Sequence, residues 1–65
     1  MNEKHVMVDG AHKAILIDGK VLEIKVHGLK YDGEPGHNRF LQDVDELGCA
    51  ECRALSAKID REITS

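Results

Sequence analysis

The sequence predicts a small α+β domain: an antiparallel β-meander of two or three strands over residues 5–31, a loop over 32–37 and one long amphipathic helix over 38–63. Two observations carry this reading. Asp-Gly occurs twice between apolar alternations, at Asp9-Gly10 and Asp18-Gly19, and is the strongest local hairpin signal. Beyond residue 37 the apolar residues switch to spacings of three and four, the rhythm of a helix with one buried stripe.

The strands come first. If both Asp-Gly pairs are two-residue turns, Val8 faces Ala11 and Ile17 faces Lys20. Side chains alternate faces along a strand. The core face then holds Val6, Val8, Ala11, Ile15, Ile17, Leu22, Ile24 and Val26, with Lys13 and Lys20 at its edges. The opposite face holds His5, Met7, His12, Ala14, Leu16, Val21, Glu23, Lys25 and His27, with an apolar patch at Ala14, Leu16 and Val21. Gly28 ends the third strand, and Leu29-Lys30-Tyr31 can add a short edge segment. Asp32-Gly33-Glu34-Pro35-Gly36-His37 is a loop by composition.

The helix follows, with Asn38 as its expected N-cap. Leu41, Val44, Gly48, Cys52, Leu55, Ile59 and Ile63 form its stripe, widened by Phe40, Leu47 and Ala54. The stripe keeps phase across Gly48, which favours one continuous or slightly kinked helix. The alternative is a break at Gly48, the second piece folding back to cover its own stripe. A helix over 39–63 spans about 37 Å, against about 26 Å for eight-residue strands. The overshoot leaves Leu55, Ile59 and Ile63 uncovered and predicts a homodimer through them.

Composition narrows function. Sixty-five residues make one domain, residues 1–65. Net charge is −3 and aromatics are 3%, which disfavours both a grip on phosphate backbone and a base-stacking platform. No apolar run approaches the roughly 18 residues of a membrane helix. The polar start Asn2-Glu3-Lys4-His5 does not resemble a secretory leader, so the expected location is the cytoplasm. There is no Gly-rich phosphate loop, no zinc-protease pair and no nucleophile elbow. The expectation is a protein without enzymatic activity or cofactor.

Three groups of side chains could bind something. Asp43, Asp45, Glu46 and Glu51 give an acidic helix face, which with the Leu16/Val21 patch is the candidate surface for a larger protein partner. An inhibitor or adaptor of that partner is the expected class, by analogy of size and charge with small mobile-element inhibitors such as anti-CRISPR proteins. The competing reading, a metal-binding or redox-responsive small protein, rests on Cys49-Ala50-Glu51-Cys52, a CxxC, with His27 and His37 as the remaining ligands of a metal. His5, His12 and His27 share a face in the predicted sheet, His12 diagonal to His27 and within reach of a shared ion. A redox CxxC needs its first cysteine at a helix N-terminus and a βαβ setting, neither of which the predicted helix provides. With no ligand, Cys52 is a small core residue of the stripe and Cys49 its flank.

Overall fold

The computed structural model describes residues 2–64, and the class is α+β. Four strands, β1 (Glu3–Asp9), β2 (His12–Ile17), β3 (Lys20–Val26) and β4 (Leu29–Asp32), form an antiparallel sheet in sequence order. Helices α1 (Gly33–Leu47) and α2 (Ala50–Thr64) follow and pack on one face. Leu29-Lys30-Tyr31 is thus a full fourth strand, hydrogen-bonded to β3 with Ile24 opposite Tyr31.

The second Asp-Gly turn forms as the sequence requires, with Ile17 opposite Lys20 and Asp18 at φ 51°. The first does not. Asp9 pairs with His12, so Gly10 and Ala11 are the turn residues and the register shifts beside Met7. Asp9 stays in the strand because its side chain is engaged: Ala11 N–H and His12 Nδ1 both donate to Asp9 Oδ1, at 2.9 and 2.7 Å. A one-residue change of register sends every side chain of a strand to the other face. His12, Ala14 and Leu16 therefore point into the core, while Ile15 and Ile17 do not. A second irregularity, between Ile15 and Leu16, places Leu16 opposite Val21 and leaves Leu22 exposed. Of the predicted core face Val6, Ile24 and Val26 are buried and Val8 packs against them, whereas Ala11 and Leu22 are exposed.

The helix boundaries also differ. α1 starts at Gly33 with Asp32, still extended, before it, so the predicted loop supplies the first turns and Asn38 lies inside the helix. Proline is tolerated in a first turn, where its missing N–H is not needed, so Pro35 does not stop the helix. Gly36 lets this turn close onto β4: a Cβ there would stand 2.8 Å from the Tyr31 carbonyl carbon. Gly36→Ala is accordingly expected to destabilise the domain by about 1–3 kcal/mol through overpacking against backbone, measured by urea denaturation. Phe40 and Val44 are the buried residues of α1. Tyr31 stacks obliquely on Phe40 and donates its hydroxyl to Asp43 at 2.9 Å. Burial, then that bond, push the phenol above its ordinary range.

At Gly48 the chain turns left-handed (φ 61°, ψ 27°) and α1 ends. The single predicted helix is thus two, as in the fold-back alternative. α2 returns over β1 and β2 and buries Cys52, Leu55 and Ile59 completely. Lys58 Nζ donates to Met7 O at 3.1 Å and Lys4 pairs with Glu62 at 2.6 Å, fixing α2 along β1. The overshoot that motivated a dimer therefore does not arise. Leu55 and Ile59 lie in this chain's own core, and only Ile63, 40% exposed, remains at the surface. Leu16 and Val21, read as part of a partner surface, are buried beneath the helices because the β2 register places them inward.

Candidate metal centre

Three turns meet at one end of the sheet. The β1–β2 turn delivers His12, the β3–β4 turn delivers His27, and the α1–α2 turn delivers Cys49 and, one helical turn on, Cys52. His27 N–H donates to Ala11 O at 3.2 Å, tying the first two turns together. His27 itself sits at φ 52°. The left-handed region is sparsely used by residues other than glycine, although histidine is among those that enter it. The β3–β4 turn thus holds an imidazole where a smaller residue is the usual choice.

One donor atom from each of His12, His27, Cys49 and Cys52 lies within 4.8 Å of every other. His12 Nε2 is 3.1 Å from His27 Nε2 and 3.4 Å from Cys49 Sγ, and the imidazole rings meet edge-on. A tetrahedron with zinc–nitrogen and zinc–sulfur bonds has edges of about 3.3–3.8 Å. His12 Nε2 and Cys49 Sγ stand at that spacing, His12 Nε2 and His27 Nε2 slightly inside it, and the other donor pairs lie within 4.8 Å. Asp9 explains the orientation of His12. A carboxylate only accepts, so the 2.7 Å contact puts the imidazole proton on Nδ1 and aims the Nε2 lone pair at the cluster. That pairing holds the Asp9 carboxyl below its usual range, chiefly through the His12 hydrogen bond. A carboxylate behind a ligating histidine is the common outer-shell partner of zinc ligands.

Burial is graded across the cluster. His12 and Cys52 are buried, Cys49 is half-buried and His27 is exposed. Burial pushes the Cys52 thiol up to about 11, and its contact with Cys49 adds to the rise. Cys49 donates to Glu51 Oε2 at 3.3 Å, and its carbonyl accepts from Arg53 N–H at 3.1 Å, opening α2. Without a cation two imidazole nitrogens and two sulfurs share one small space, and the His12 Nε2 lone pair faces both His27 Nε2 and a Cys49 sulfur whose proton goes to Glu51. A divalent cation satisfies all four donors at once.

The sequence named three of these four residues. It also set His12 within reach of an ion shared with His27 but did not join it to the cysteines, because the assumed turn put His12 on the face away from the helix; His5, on that same predicted face, is exposed and bonded to Glu3 at 3.0 Å. The available signal was the Asp9-x-x-His12 spacing, which a turn centred on Gly10-Ala11 converts into a carboxylate–imidazole pair. His37, the other predicted ligand, is excluded from the cluster. It lies between α1 and α2, 12% exposed, with Nε2 3.9 Å from Asp60 and no hydrogen-bond partner among the described residues. The predicted acidic residues lie along the end of α1 and the start of α2. Asp43 binds Tyr31 and Glu51 binds Cys49, leaving Asp45 and Glu46 exposed.

The chain matches no protein-family model, no curated protein and no solved structure. No helix among the described residues is long and apolar enough to cross a membrane.

Proposed function

We propose that this protein is a zinc-binding domain in which Cys49, Cys52, His12 and His27 hold one metal ion that locks the three turns together. The observation that supports the reading is the convergence of two sulfurs and two imidazole nitrogens within 4.8 Å, one imidazole being backed by Asp9. A tetrahedral set of two sulfurs and two nitrogens suits zinc. The four protein ligands complete the coordination and leave no open position of the kind a catalytic zinc needs. The metal in this reading is structural. The domain acts without turnover, by presenting its surface to a protein partner.

Metal analysis of untagged protein tests this directly. One zinc per chain is expected, with cobalt substitution giving the visible bands of a tetrahedral thiolate site. The double substitution Cys49→Ser, Cys52→Ser should abolish binding, and His37→Ala should leave it intact. Asp9→Asn should weaken it by about 10- to 100-fold, the usual effect of removing an outer-shell carboxylate. Protein that stays metal-free in excess zinc sinks the proposal.

A further inference from the structure

We propose that this zinc site is released by hydroperoxides, through an intramolecular disulfide between Cys49 and Cys52. The inference rests on the zinc reading and concerns how that same site is regulated.

The two sulfurs are unequal in a way that sets an order of events. Cys49 is half-buried and lies just before α2, outside its residues, whereas Cys52 is fully buried in the first turn. A small neutral oxidant reaches Cys49 first. The Cys49 carbonyl accepts from Arg53 N–H at 3.1 Å, so the backbone there is tied to the first turn of α2. The Cys49 side chain can swing without unwinding the helix. Cys52 waits on the inner side, its sulfur no more than 4.8 Å away. A disulfide bond of about 2.05 Å is within reach of side-chain rotation across that gap.

The chemistry balances with hydrogen peroxide as the oxidant. The Cys49 thiolate attacks one peroxide oxygen, the O–O bond breaks, and hydroxide leaves to give a sulfenic acid. The Cys52 thiolate then attacks the Cys49 sulfur and expels the sulfenic hydroxyl as hydroxide. The two sulfurs have lost two electrons to the peroxide, and two protons from solvent convert the departing oxygens to water. The zinc loses both anionic ligands and keeps only His12 and His27. The His27 side of the site is exposed, so the ion has a path out. A dithiol reductant returns the two electrons, breaks the S–S bond and restores the site.

The test uses zinc-loaded wild-type protein, hydrogen peroxide and a metallochromic dye that reports free zinc. Complete zinc loss is expected, in step with an intramolecular disulfide seen as the loss of two hydrogen atoms relative to the reduced apo-protein. Dithiothreitol after removal of peroxide should restore full zinc binding. A sulfenic-acid trap added during oxidation should label Cys49. Zinc retained through complete consumption of peroxide overturns the proposal. So does release accompanied by sulfinic acid or by cross-linked chains in place of the internal disulfide. A label on Cys52 overturns the proposed order. Protein that loads no zinc at the start overturns the zinc reading itself, and this proposal with it.

Discussion

Stripping zinc from the loaded protein with a chelator is expected to lower its melting temperature by about 10–30 °C. A ligand that binds only the folded state at 100 to 1,000 times its Kd stabilises by about 2.7–4.1 kcal/mol. One kcal/mol corresponds to about 4–8 °C in a domain of this size. The shift is large because the chain is small, and area gain and chain entropy nearly cancel in scaffolds below about 70–80 residues. The ligands come from β2, the β3–β4 turn and the start of α2, so the ion would cross-link three separate stretches of the chain at that end. Circular dichroism melts with and without chelator measure the effect. The Cys49→Ser, Cys52→Ser protein should melt at one temperature in both, and His37→Ala should keep the full difference. A wild-type melting temperature indifferent to chelator would detach the site from the stability of the fold.

Leu55→Ala or Ile59→Ala is expected to cost about 2–5 kcal/mol, the range for large-to-small changes in a packed core. Both side chains are completely buried between α2 and the sheet. That is most of the stability of a domain this size, so each variant should be largely unfolded at physiological temperature. Ile63→Ala should change stability by no more than about 0.5 kcal/mol, as surface changes do, because Ile63 is 40% exposed. Urea titrations of the three variants, with light scattering, separate intrachain burial from dimerisation. If the stripe were a dimer seam, all three would weaken association together. Loss of folding at Leu55 and Ile59 with an unaffected Ile63 places the stripe inside one chain.

The helical rhythm from Phe40 to Ile59 was legible in the sequence because periodicity does not depend on where a helix is interrupted. The interruption at Gly48 was not, since a glycine in phase with the stripe fits both a close approach and a left-handed cap. The hairpins were legible as hairpins, but their register was not. Asp9-Gly10 and Asp18-Gly19 are the same dipeptide, and only the second forms the turn. What distinguishes them is how each aspartate is engaged: Asp9 accepts locally from Ala11 N–H and His12, whereas Asp18 accepts from the distant Asn2 N–H at 2.9 Å. That one-residue difference turned His12 away from the cysteines in the sequence reading, so the two histidines and the CxxC were read as separate groups. The cysteine pair was visible as a motif, yet its partners His12 and His27 lie 37 and 22 residues before Cys49, outside any compact ligand spacing.

Those long intervals bear on the route to the native state. In an unfolded chain Cys49 and Cys52 are the one ligand pair close enough to chelate without closing a large loop, and closure entropy rises with loop length. His12 and His27 join only after two hairpin turns have formed and α1 has laid the cysteines against them. On the zinc reading the ion would therefore arrive as a latch on a nearly finished fold, in contrast to small fingers whose clustered ligands let the ion seed the first structure. The metal should slow unfolding far more than it speeds folding, since interactions absent from the transition state act on the unfolding rate. On that reading the lifetime of the folded chain, more than the speed with which it is reached, is what the four convergent donors would control.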